Sequence, residues 1–244
     1  MFSSASKLQD VAQPIVESNP FAQYGLAFVD GGRALQGPER PSCYGITPPI
    51  LVGDEQHEMD LSNQRDVLTA CFKGHVPMQN SQIVDIVSAV FKSVTGKCCE
   101  DYAKIIHMAE SDWEQFRARL RGNDECSRYD AINLGGLIVR CTINDDRGLP
   151  LLFHEIGHSL YLPAGSSYQD EKNAYHFQFV CTKRFEDEIE KLGLGFRYPG
   201  HTKFPSAAHE RAYEDAESLF AQQNCSRPKL TKESGQEFKS RPKP

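Results

Sequence analysis

A chain of 244 residues with 39% hydrophobic and 25% charged residues can bury a substantial core, which excludes global disorder. A formal charge of −6 excludes the strong basic field that draws nucleic acid to a surface. No apolar run approaches the roughly 20 residues of a membrane span.

Residues 1–20 read as an irregular lead-in, polar and without the apolar segment of a secretory signal peptide. A cytoplasmic or otherwise delivered protein fits this, and so does a secreted one whose signal has been removed. The eight cysteines include no C-x-x-C pair, so a zinc ribbon or thioredoxin-like motif has no support. Their even number allows up to four disulfides in a secreted protein, with free, mostly buried thiols as the alternative.

Tyr24 to Val29 predicts a short strand, ended by Asp30-Gly31-Gly32. Residues 33–53 carry Pro38, Pro41, Pro48 and Pro49 and predict an extended or looped passage. Helices follow over Ser62–Phe72 and Gln82–Val94. In the second, Ile83, Ile86, Val87, Val90, Phe91 and Val94 recur at helical spacing and Gly96 closes the run. A third helix is expected over Ser111–Leu120, capped by Ser111 with Glu114 three residues on. Arg117, Arg119 and Arg121 read as its solvated face.

Within residues 131–143, the β-branched run Leu137 to Ile143 between Gly135-Gly136 and Asn144-Asp145 predicts a strand. The next helix spans Leu149–Tyr161, with Pro150 in its first turn and Pro163 beyond its end. A long helix over Tyr168–Leu192 has Ser167 and Asp170 as capping residues and Gly193 as its stop. A last helix covers Ser206–Gln222. Residues 226–244 are rich in Lys, Ser and Pro and are expected to be disordered. No internal repeat is present. Residues 21–225 are expected to form one domain of α+β class, a small and mainly antiparallel sheet packed on one central helix with further helices around it.

That central helix carries His154-Glu155-Ile156-Gly157-His158. Four helical residues turn the chain by about 400°, so the two imidazoles share a face and can hold one ion. Neutral imidazole suits zinc, and three protein ligands leave a fourth position for water. Glu155 stands about 100° round the helix from His154, placed to reach a water beside the ion and act as general base. Leu149, Leu152, Phe153, Ile156 and Leu160 mark the helix as largely buried, as a helix at the centre of a site must be. A core helix with two satisfied histidines is the bland alternative.

A strand, an HExxH helix and a second helix bearing a further ligand together resemble the zincin metallopeptidases, over residues 131–192. The metzincin subclass is excluded, because Tyr161 and Ala164 stand where it has Gly and His. Glu171, in Glu171-Lys172-Asn173-Ala174-Tyr175-His176-Phe177, is similar to the third-ligand helix of compact gluzincins, and the small Ala174 would let the two helices approach closely. The resemblance implies a zinc metalloendopeptidase of protein or peptide substrates. Zn2+ would lie on His154, His158 and Glu171, with Glu155 as the catalytic base. Asp170 is the rival third ligand, although the aspzincin motif is missing. His176, His201 and His209 are weaker ligand candidates. Tyr161, Tyr168, Tyr175, His201, His209 and Tyr213 are all possible donors to an oxyanion. The strand near Leu137 to Thr142 resembles the edge strand on which zincins hold an extended peptide, with an ordinary internal strand as the alternative. A non-catalytic binding protein of the same fold and a zinc hydrolase of non-peptide amides or esters are the competing functions.

Overall fold

The computed structural model describes residues 23, 27–29, 34–36, 58–59, 61–74, 76–120, 131–133, 137–141, 148–160, 167–195, 198 and 204–225. The lead-in at 1–20, the turn at 30–32, most of the loop at 33–53, Arg121, Tyr161, Pro163, His201 and the tail at 226–244 lie outside these residues.

Strand β1 (Ala27–Val29) pairs antiparallel with β2 (Ala34–Gln36). Helix α1 (Arg65–Gly74) follows a 3-10 turn at Ser62–Gln64. Helix α2 (Asn80–Thr95) opens on a capping box between Gln79 and Gln82 and closes at Gly96, whose φ of 71° is the left-handed conformation glycine adopts freely. All six apolar residues expected to face inward from α2 are buried. Strand β3 (Lys104–Met108) leads into α3 (Glu110–Leu120). Ser111 does not cap α3: the N–H groups of Asp112 and Trp113 both donate to the Ala109 carbonyl, so the helix starts before Ser111. Strands β4 (Ala131–Asn133) and β5 (Leu137–Cys141) precede α4 (Gly148–Leu160), α5 (Ser167–Lys191) and α6 (Ala207–Cys225). At the end of α5 the Leu194 N–H donates to Ile189 O and the Gly193 N–H to Glu190 O. This is a Schellman closure with Gly193 at φ 73°.

The expected α+β class with a mainly antiparallel sheet is overturned. The described residues are mostly helical, with six α-helices of 10 to 25 residues against strands of three to five. The three-stranded group has the order β3-β5-β4. Its longer ladder, β3 with β5, is parallel over five residue pairs, and only the three-residue β4 runs antiparallel. The physical reason lies in the core. Helices α2, α4 and α5 supply most of the buried side chains of the main cluster. Among the described strand residues only Ile138 joins it, while Ile106, Met108 and Ala131 are buried outside it. Helix-on-helix packing therefore replaces the expected helix-on-sheet layer.

Helix α4 is buried on almost every side, from Leu149 and Pro150 through Leu152–Gly157 to Leu160. A second, smaller cluster of Tyr175, Ala212, Tyr213 and Ala216 seats α6 on α5, with Tyr168, Phe179 and Phe204 packed around it. Among the described residues no helix is long and apolar enough to cross a membrane. Cys71, Cys98, Cys99 and Cys181 are free thiols. Burial pushes the Cys99 thiol up to about 12, helped by the Glu100 charge, so it stays protonated and inert.

Candidate metal centre

Helices α4 and α5 meet through their smallest residues. A Cβ built on Gly157 would stand 2.8 Å from the Cα of Ala174 and 3.1 Å from its carbonyl oxygen. That separation is open only to glycine, and it brings the first turns of α5 beside the histidines of α4.

His154 Nε2 lies 3.1 Å from His158 Nε2. Glu171 Oε2 lies 3.3 Å from His154 Nε2, and Glu171 Oε1 lies 3.6 Å from His158 Nε2. Each residue offers one ligand atom within 4.8 Å of the other two. A tetrahedral ion with bonds of about 2.1 Å spaces its donors about 3.4 Å apart. The two imidazole nitrogens meet that spacing, and each has one of the two Glu171 oxygens at a similar distance. Glu171 Oε2 is buried with no hydrogen-bond partner among the described residues, which leaves it available to a cation. Two nitrogens and one oxygen match zinc in chemistry as well as spacing. The Glu171 and His158 side chains keep 20% and 22% of their surface, so the cluster is open to a small ligand on one side.

Electrostatics favour the same protonation states. Burial lowers the His158 imidazole to about 4, and the neighbouring His154 adds to this, so His158 is neutral at pH 7 and free to donate a lone pair. Burial alone would raise the Glu171 carboxyl, but the imidazoles of His154 and His209 beside it outweigh that and hold it well below the usual carboxylate range.

Glu155 is buried next to this cluster. Burial raises its carboxyl to about 7, opposed by the charge of His154 and by a hydrogen bond from the Asn133 backbone N–H. A carboxylate poised near 7 is matched to taking and returning a proton at neutral pH. Asn133 also fixes the helix that carries it. Its side-chain amide donates to the Glu155 carbonyl at 2.5 Å and to Ser159 Oγ at 2.7 Å.

The structure brings together His154, His158 and Glu171, the three residues singled out as ligands, with Glu155 adjacent. Asp170 is not in the group. His176 is buried away from it, its Nε2 2.9 Å from Gln223 Oε1. Among the tyrosines weighed as donors, Tyr175 lays its ring against His154, with centroids 4.2 Å apart. Tyr213 packs on Tyr175, and Tyr168 bonds Asp215. The His154 ring is thus positioned by an aromatic wall, while its Nδ1 is buried with no hydrogen-bond partner among the described residues. His209 reaches the cluster from α6, its Nε2 3.4 Å from Glu171 Oε1.

The strand at Leu137–Cys141 is central, between β3 and β4, so it takes the internal-strand alternative and not the edge role. Among the described strands, β4 is an edge strand of its sheet and packs beside α4. Asn133 had no signal in the sequence beyond an amide at the end of a three-residue strand.

Comparisons with known protein families, with curated proteins and with solved structures find no match to this chain.

Proposed function

We propose that this protein is a zinc-dependent hydrolase that cleaves peptide bonds, with His154, His158 and Glu171 as metal ligands and Glu155 as general base. One observation carries the reading. Three donors of the right chemistry converge from two helices at the spacing of a tetrahedral ion, beside a buried carboxyl poised near neutrality. The resemblance of the HExxH helix and its following Glu to the zincin pattern supports the same assignment.

When bound, zinc supplies Lewis acidity that polarises a carbonyl and makes a water easier to ionise. The residues of the chain do the rest. Glu155 takes the proton from the attacking water and returns it to the leaving nitrogen. Tyr175 and the packing of α4 hold the His154 ring in place. Asn133 keeps the Glu155 segment of α4 against β4. As an edge strand, β4 offers backbone groups to an extended substrate, a mode that gives affinity with little demand on sequence.

The test is elemental analysis of the purified wild type beside His158→Ala and Glu171→Ala, followed by cleavage of a broad peptide library. The expected result is one zinc per wild-type chain, lost or much reduced in both variants, with peptide cleavage that requires zinc. Wild-type protein that takes up no zinc would overturn the reading. Zinc uptake with activity on small esters or amides and on no peptide would retain the site and overturn the substrate.

A further inference from the structure

His209 does not belong to the three-residue ligand group, yet it touches one member of it. It stands at the third position of α6, three residues after Ser206. The Ser206 hydroxyl oxygen accepts the His209 backbone N–H at 3.4 Å, the usual bond of a helix-capping serine. The same oxygen lies 2.8 Å from Nδ1 of the His209 ring. An oxygen that already accepts the backbone N–H has its own proton to give, and Nδ1 is the acceptor within reach. That leaves the ring proton on Nε2, which faces Glu171 Oε1 at 3.4 Å.

The chain of contacts runs from the cap of α6 through one imidazole to one oxygen of the proposed ligand. The other oxygen, Oε2, has no hydrogen-bond partner among the described residues and lies on the side of His154. The two carboxylate oxygens are therefore in different surroundings: Oε1 faces His209 of α6 and Oε2 faces His154 of α4. The aromatic contacts among Tyr175, Phe204 and Tyr213 hold α6 in the place this requires.

We propose that His209, oriented by Ser206, is a positioning residue for the Glu171 ligand, donating from Nε2 to Oε1 and setting the direction in which the carboxylate meets a divalent cation. This rests on the zinc reading above. His209 acts on the metal through Glu171, a role distinct from ligation and from contact with substrate. Outer partners of this kind typically contribute 10- to 100-fold in metal affinity.

The experiment measures zinc affinity of the full chain by competition with a chromophoric chelator, with the melting temperature of each metal-free protein recorded alongside. His209→Ala is expected to weaken zinc binding by about 10- to 100-fold with little change in metal-free melting. His209→Gln, which restores an N–H donor at similar reach, is expected to recover most of that loss. Ser206→Ala is expected to weaken binding in the same direction by less. Wild-type affinity in His209→Ala would overturn the proposal while leaving the zinc site standing. So would a loss that Gln does not repair and that follows a fall in metal-free melting, since that marks a merely structural role. Wild-type protein that binds no zinc would remove the zinc reading itself and this proposal with it.

Discussion

Gly157 of α4 and Ala174 of α5 lie so close that a methyl group on Gly157 would stand 2.8 Å from the Ala174 Cα. The obstacle is backbone, so no side-chain rotation relieves it. Gly157→Ala gains up to about 1 kcal/mol in helix propensity. Overpacking of a buried contact costs about 1–3 kcal/mol, so the net effect is destabilising. The helices must also separate, which spreads His154 and His158 from Glu171. The expected outcome is a lower urea midpoint together with weaker zinc binding. Gly74→Ala is the control, because its added methyl meets only Val76 Cγ2 at 3.7 Å. Equal stability and equal zinc affinity in the Gly157 and Gly74 variants would show that this contact does not set the ligand geometry.

Asn133 holds α4 to β4 through two hydrogen bonds from one side-chain nitrogen. Asn133→Ala removes both and leaves the Glu155 carbonyl and Ser159 hydroxyl half-satisfied, a cost of about 1–2 kcal/mol. Asn133→Asp is expected to lose more, since it sets a negative charge beside the Glu155 carbonyl. Turnover should fall further than stability predicts, because the released segment carries Glu155, the proposed general base. Chemical denaturation and peptidase assays on both variants check this. If alanine and aspartate are equally mild in both readouts, the two bonds have no positioning role.

The group of His154, His158 and Glu171 was legible because its geometry is local. His154 and His158 face one way by the arithmetic of the helix, and Glu171 stands one short loop away beside the small Ala174. The neighbours of the site were not legible, because they depend on docking that no local spacing encodes. His209 was one of six possible donors until Tyr175, Phe204 and Tyr213 placed α6. Its cap, Ser206 three residues earlier, was the signal available. Strand β3, Lys-Ile-Ile-His-Met, was missed because five residues between a turn and a helix carry too little pattern. The edge role for the run near Leu137 to Thr142 came from the resemblance to zincins, and β3, which pairs along Leu137–Cys141 in parallel, makes it internal.

Glu155→Gln keeps the size of the side chain and removes the base. Zinc content is expected to be unchanged, and kcat to fall by about 10²- to 10⁴-fold. Stability gives an independent check. Burial raises the Glu155 carboxyl to about 7, so the folded protein binds this proton more tightly than the unfolded chain. The cost of ionising it begins above the unfolded value near 4.5 and grows until pH 7. Metal-free Glu155→Gln should therefore match the wild type near pH 4 and exceed it at pH 8 by on the order of 3 kcal/mol. A bound cation favours the ionised carboxylate and should shrink that difference. Undiminished cleavage by the variant would sink the assignment of Glu155 as base.

His107 on β3 makes an acid-sensitive point away from the site. Both its ring nitrogens are buried without a hydrogen-bond partner among the described residues, and its register partner on β5 is the fully buried Arg140. Burial lowers its imidazole to about 4, and the Arg140 charge adds to the shift. The unfolded chain, with a value near 6.5, therefore binds more protons than the folded one between pH 6.5 and 4. Stability is complete above 6.5 and is lost as pH falls through that window. Because the ring is partly exposed, the loss is discounted to about 1–2 kcal/mol. His107→Phe keeps a ring suited to a strand and removes the titration. Its urea midpoint should fall less than that of the wild type between pH 7 and pH 4.5, with both proteins measured free of metal. Parallel curves for the two proteins would mean that the acid loss arises elsewhere, with the lowered Glu171 carboxyl and the His158 imidazole as the groups to examine next.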